Sequence, residues 1–161
     1  MYKQNREKSE YDQKLLDVAR VVRVVAGGRR FRFRAVVVIG NRKGKVGVGV
    51  SKGQDVGLAV EKAVANAKRS LIDIPLIKGA IPHITEAKFC SAKVLLKPGI
   101  KGRGIVAGGA VRAVCELAGI ENISGKVLGK TKNKLNNAKA TIKALQNLKT
   151  EKIKEKTVVA K

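Results

Sequence analysis

The sequence predicts an α+β fold in two small domains. Three observations carry that prediction. Apolar residues alternate along residues 31–39, the period of a strand. Val56, Val60, Ala63, Val64, Ala67 and Leu71 then recur at helical spacing, and Pro75 closes a β-β-β-α unit. Beyond Ile81 a second series of strand and helix patterns begins, with no long internal repeat of the first.

The elements follow in order. Residues 1–14 are polar, mixed in charge, and read as a mobile arm. Residues 15–25 read as a first strand, and Gly27-Gly28 as the first hairpin turn, because glycine tolerates positive φ. Next, Phe31, Phe33, Ala35, Val37 and Ile39 make an inner face. Arg32, Arg34, Val36 and Val38 make an outer face with arginine near its start. Asn41-Arg42-Lys43-Gly44 is a turn, and residues 45–50 are a third strand. Asp55 suits the N-cap of the helix, with Lys62 and Arg69 on its solvated side. A unit of roughly 60 residues is small for an independent core, so it is expected to lean on a neighbour.

In the second unit, residues 83–89 and 92–97 read as strands and residues 98–104 as a loop. Residues 107–118 read as a helix with Val111, Val114, Cys115 and Ala118 inward, ended by Gly119. Residues 123–128 are a strand, and Leu135, Ala138, Ile142, Leu145 and Leu148 trace a last helix. The expected divisions are an arm at 1–14, a first domain at 15–78, a second at 79–149 and a lysine-rich tail at 150–161.

Composition narrows the function. The 161 residues carry a net charge of +23, are 44% hydrophobic and only 3% aromatic, so the core must be aliphatic. Such a charge points to nucleic acid first and an anionic membrane surface second. No run of about 18 apolar residues exists for a membrane span. The first eight residues lack the apolar centre of a signal peptide, so intracellular residence is expected. Two cysteines are too few for a disulfide framework or a four-ligand zinc site. Cys115 reads as a buried, inert thiol, and Cys90 as similar. The single histidine, His83, cannot complete a metal cluster and reads as packing on a strand. The twelve acids show no paired arrangement in a glycine-lined cleft, so neither an enzyme nor a cofactor or metal is expected.

Two glycine patterns resemble nucleotide loops. Gly102-Arg103-Gly104-Ile105-Val106-Ala107 fits a dinucleotide loop, with Glu121 downstream, but too little chain follows for a parallel βαβ series. A close backbone approach at a helix N-terminus is the plainer reading, with a phosphate or protein contact at Gly108-Gly109 between the two. Ser124-Gly125-Lys126-Val127-Leu128-Gly129-Lys130-Thr131 nearly spells a phosphate loop, but serine stands at its first glycine. The acids after it, Glu151 and Glu155, lie in the tail. A basic loop touching RNA phosphate through Lys126, Lys130 and Lys132 fits better.

The informative stretch lies between Asp17 and Asp55, which holds no acid. It holds Arg20, Arg23, Arg29, Arg30, Arg32, Arg34, Arg42, Lys43, Lys45 and Lys52. From Arg20 to Arg42 there are seven arginines and no lysine. Arginine makes planar two-point contacts with phosphate and guanine, which a merely soluble surface does not need. All eleven cations after Asn122 are lysines, suited to diffuse phosphate neutralisation. Few aromatics are available for stacking, so recognition of folded RNA by shape and backbone is expected over single-strand platforms.

These residues also carry a resemblance. Gly27-Gly28-Arg29-Arg30-Phe31-Arg32-Phe33, then Gly44-Lys45-Val46-Gly47-Val48-Gly49, then Val56 and Glu61-Lys62-Ala63, resemble bacterial small-subunit ribosomal protein five. Residues 104–114 and Ala118-Gly119 agree, and the likeness runs from about Leu15 to Leu148. It implies a first domain resembling a double-stranded-RNA-binding domain and a second αβ domain with a left-handed βαβ crossover. It implies a cytoplasmic ribosome, small-subunit ribosomal RNA at the head–body junction, and small-subunit proteins four and eight as partners. It implies that the first hairpin loop, with Val22, Arg23, Ala26, Gly27 and Gly28, reaches the head near the spectinomycin pocket. Gly104 and Arg112 would face protein four at an interface tied, with protein twelve, to decoding accuracy. Arg20 is a candidate for contact with incoming messenger RNA. The sequence departs from the family at Asn41, Ser51 and Gly57, often aspartate, glycine and proline there, and at Lys130-Thr131-Lys132-Asn133-Lys134. The alternatives are a free double-stranded-RNA-binding regulator and a phosphate-loop nucleotide enzyme.

Overall fold

The computed structural model describes residues 10–149; most of the expected arm and the expected tail lie outside that range. The first strand, β1 (Asp12–Val25), begins three residues earlier than expected, so Asp12, Gln13 and Lys14 belong to the sheet and not to an arm. It pairs antiparallel with β2 (Gly28–Gly40) through a tight turn at Ala26-Gly27. Only the second turn glycine needs its freedom: Gly28 has φ +142, where a side chain is rarely tolerated. A register shift between Leu15 and Asp17 adds a bulge to β1, which turns both Leu16 and Asp17 toward the second domain.

Strand β3 (Lys45–Gly53) pairs with β2, and helix α1 (Val56–Arg69) packs across one face of the sheet. Asp55 occupies the N-cap in extended conformation, but its side chain makes no capping bond. The buried face of α1 is Ala59, Ala63 and Ala67; Val60 and Val64 flank it. Alanine is selected there because the backbone of β3 comes very close. A Cβ on Gly49 would collide with the Ala63 carbonyl, and one on Gly53 would sit 2.7 Å from the Ala59 nitrogen. A short strand not expected from the sequence, β4 (Ile72–Asp73), pairs with the far edge of β3.

The other face of the sheet corrects one expectation. Val36 and Val38 are fully buried, not on an outer surface. They join Val46, Val48 and Ile74 in one cluster with Leu96, Val111, Val114, Leu117 and Leu145 of the second unit. The small first unit leans on its neighbour so fully that the larger of two apolar cores spans both.

The second unit is a four-stranded sheet in the order β5 (Thr85–Phe89), β6 (Ala92–Pro98), β8 (Ile123–Val127), β7 (Ile105–Val106). Strands β7 and β8 are parallel neighbours, and α2 (Gly109–Ala118) is the crossover between them. Helix α3 (Lys134–Gln146) is capped by Asn133, whose side chain accepts from the Leu135 and Asn136 amides. His83 precedes β5 instead of lying in a strand. Its Nε2 accepts from the Lys149 amide at 3.0 Å, pinning the chain after α3. Cys115 is buried as expected, but Cys90 is exposed, because it forms the β5–β6 turn in the left-handed conformation with φ 51. No described helix is long and apolar enough to cross a membrane.

Candidate nucleic-acid interface

Near its root the first sheet is covered on both faces; toward the hairpin it is covered on neither. Residues of β2 are buried from Ala35 onward, while residues 28–32 are exposed. The alternation of β2 then sorts the arginines. Arg30 and Arg32 continue the row of Val36 and Val38, and strand pairing places Arg23, opposite Arg30, and Lys52, opposite Arg34, on the same face. Arg23, Arg30, Arg32 and Lys52 line a hollow of about 400 Å³. Arg32 and Lys52 also border a second hollow of about 290 Å³ that runs past Gly53 to Lys62 in the middle of α1. The result is a basic face on the hairpin that continues around the edge of β3 to α1.

Three of the ten cations have acidic partners, all from outside the acid-free span, on β1 or β4. Arg34 lies 3.8 Å from Asp17, Arg42 2.7 Å from Asp12 and Lys45 3.9 Å from Asp73. Arg20, Arg23, Arg29, Arg30, Arg32, Lys43 and Lys52 have no ion pair among the described residues. Arg34 is also half-buried, and its Nε has no partner within the described residues. Asp17 additionally binds Lys134 of α3 at 3.1 Å, so this carboxylate ties the root of the hairpin to the second domain. The sequence carried one sign of this arrangement: Asp17 closes the acid-free span at its upstream end.

The remaining expected residues lie elsewhere. Ala26 and Gly27 form the hairpin tip, while Arg42, Lys43 and Lys45 lie at the opposite end of the sheet. A thirteen-residue strand separates them by roughly 40 Å. Arg42 has φ 55 and donates its amide to the Leu117 carbonyl at 3.0 Å, so this loop is locked onto α2. Lys126 is an exposed residue of β8, and Lys130 and Lys132 precede α3. Gly104 has φ +73 and donates to the Asn122 side chain at 3.2 Å; Arg112 is exposed on α2.

Neither nucleotide pattern builds a phosphate loop. Residues 124–127 of the second one lie within β8, and β7 intervenes between Gly104 and α2 in the first. Cys115 is held by burial at a pKa of about 12, so it is no nucleophile. Among the described residues no cluster of three or more histidine, cysteine or carboxylate side chains could hold a metal ion.

Comparison with known proteins identifies the family. The family description "Ribosomal protein S5, N-terminal domain" matches residues 11–75, and "Ribosomal protein S5, C-terminal domain" matches residues 87–157. The chain is 49% identical over 144 residues to small ribosomal subunit protein uS5 of Mycoplasmopsis synoviae, covering 89% of this chain and 58% of that one. It is 46% identical over 153 residues to uS5 of Thermotoga neapolitana, covering 92% and 85%. It is 48% identical over 150 residues to uS5c of Emiliania huxleyi, covering 92% and 94%. The relatives thus differ in length, and this chain spans little more than half of the first. With both family domains matched in order on the two structural units, the chain belongs to the ribosomal protein S5 family.

Proposed function

We propose that this chain is a structural, RNA-binding constituent of the small ribosomal subunit and acts in translation within the ribosome. The observation that carries the reading is the basic face of the hairpin, where Arg23, Arg30, Arg32 and Lys52 stand side by side without an acidic partner among the described residues. Unneutralised arginines on a rigid sheet hold phosphates at fixed spacing. The buried core behind them keeps the two basic ends of the sheet at a set separation.

In the finer reading, small-subunit ribosomal RNA near the head–body junction occupies the hairpin face, and the hairpin end from about Val22 to Arg29 reaches the head. There it would steady head against body and lie near the spectinomycin pocket. Arg42, Lys43, Lys45, Lys126, Lys130 and Lys132 supply further phosphate contacts. Gly104 and Arg112 face protein four, protein eight is a second neighbour, and accuracy is shared with proteins four and twelve. Arg20 stands toward messenger RNA. The exposed positions of Arg20, Arg112 and the lysines support these assignments.

Sedimentation tests the reading directly. The chain should migrate with small subunits on a sucrose gradient after a high-salt wash. A wholly soluble pool would instead favour a free RNA-binding regulator. Binding to its RNA should weaken by about three to five decades between 50 and 200 mM salt if six to ten phosphates are neutralised.

A further inference from the structure

Phosphate neutralisation accounts for one face of the hairpin and leaves the other unexplained. Strand pairing puts Val18, Arg20, Val22 and Val24 of β1 on the same side as Arg29, Phe31 and Phe33 of β2. Helix α1 covers this side only near the root, where Phe33 packs against its cluster. Toward the tip the apolar side chains stand in solvent: Val22 is 46% exposed, Val24 78% and Phe31 45%. Isolated exposed valines are ordinary, but three large apolar groups on one face of a projecting ribbon mark a contact surface.

Within that surface Arg20 is placed in a specific way. Its guanidinium carbon lies 3.7 Å from the centroid of the Phe31 ring, and it has no ion pair among the described residues. A separation of that size is a stacking distance, so the guanidinium lies over the ring instead of reaching past it. Arg20 is exposed, which leaves its charge facing outward. A guanidinium held over an aromatic ring is a platform for a second π system.

We propose that Phe31 and Arg20 form a stacking seat for one unpaired nucleobase in a bulge or loop of the RNA that the hairpin enters. A paired base has both faces covered by its neighbours, whereas an unpaired one offers a free face to the guanidinium. Val22 and Val24 then cover the edge of that base and its ribose. A protein partner would also cover valines, but Arg20 and Arg29 sit within this surface and no acid lies on the hairpin beyond Asp17, which favours a polyanion. The proposal rests on the reading that the chain binds RNA, and adds that one arm of the hairpin selects for a distorted site.

Two RNA stems of equal length test it with the full chain, one fully paired and one with a single bulged 2-aminopurine. Binding is read by anisotropy and by the 2-aminopurine fluorescence. The chain should bind the bulged stem about tenfold tighter and change its fluorescence. Phe31→Leu keeps the apolar contact and Arg20→Lys keeps the charge. Each should abolish the preference, and Phe31→Leu, which removes no charge, should leave affinity for the paired stem within about twofold and the salt slope unchanged. Both positions are exposed, and an unchanged thermal transition confirms the fold. Equal affinity for the two stems, or a preference that either variant retains, overturns the stacking seat but not RNA binding. Failure to bind either stem overturns both.

Discussion

The amide of Arg42 donates to the carbonyl of Leu117 at 3.0 Å, so the loop after β2 is bonded to the last turn of α2. The contact is reinforced nearby. Gly44 donates to the Ala118 carbonyl at 2.9 Å, and a Cβ on Gly119 would collide with the Arg42 carbonyl. Gly119→Ala therefore meets two obstacles, a φ of +79 and a backbone already in contact. It should cost roughly 2–5 kcal/mol. Urea unfolding followed by circular dichroism should show one transition, moved to lower denaturant. Two resolved transitions would show that the domains do not share a cooperative core.

The two thiols should differ sharply. Cys90 is exposed in a turn, and Cys115 is fully buried with its pKa pushed up from 9.0 to about 12 by burial. At pH 8 a thiol-reactive disulfide should label one cysteine quickly and the second only in denaturant. Ionisation of Cys115 is easier in the unfolded chain, so its linkage leaves stability undiminished below pH 9. Between pH 9 and pH 12 it draws stability down. Cys115→Ala should remove that part of the alkaline loss, read as a flatter unfolding midpoint over the same range.

The basic face should be separable by salt dependence. Arg32→Ala and Lys52→Ala should each lower affinity for an RNA stem and reduce the log–log salt slope by about one. Arg42→Ala lies at the other end of the sheet and is paired with Asp12, so a short stem should register little change. Equal slopes in all three variants would mean that the charge acts only as a diffuse cloud.

Glu116 links acid sensitivity to the domain joint. The hydrogen bond and charge of Lys14, 2.8 Å away, hold its carboxyl below the ordinary 4.5 despite slight desolvation, with help from Arg42 and Arg112. Its contribution is therefore full above pH 4.5 and is lost as pH falls through the lowered value. Both side chains are nearly half exposed, so Glu116→Gln should cost only about 0.2–1 kcal/mol at pH 7. That difference should vanish in strong acid, measured by urea unfolding at several pH values. A difference that persists there would point to packing instead of charge.

What the sequence could announce depended on periodicity, and what it hid depended on contacts between distant segments. The alternation of residues 31–39 identified two faces of β2, yet Val36 and Val38 looked like surface because nothing local announces that α2 covers them. Strands β4 and β7 have two residues each, too short for any pattern. The helix face was read through its valines, while the glycines opposite it in β3 require the alanine row Ala59, Ala63 and Ala67. Charge was the clearest signal: the acid-free span does place a basic face along the hairpin. The neutralisation of Arg34, Arg42 and Lys45 was not readable, because their partners come from β1 and β4. Nor was the exposure of Phe31, which alternation alone assigns to the inner side.

The bulge at Leu15 and Asp17 marks the fulcrum of the molecule. Below it, β1 and β2 are gripped between α1 on one side and α2 on the other; above it, the ribbon is a cantilever. From Gly28 to Arg32 the free length is about 17 Å at strand rise. A load applied at Gly27 cannot be absorbed by a hinge between domains, since the root of the beam lies inside their common core. It must either flex the ribbon or turn the whole body. The tip is thus carried by the body, its base set by the packing of Val36, Val38 and Leu117 far below it.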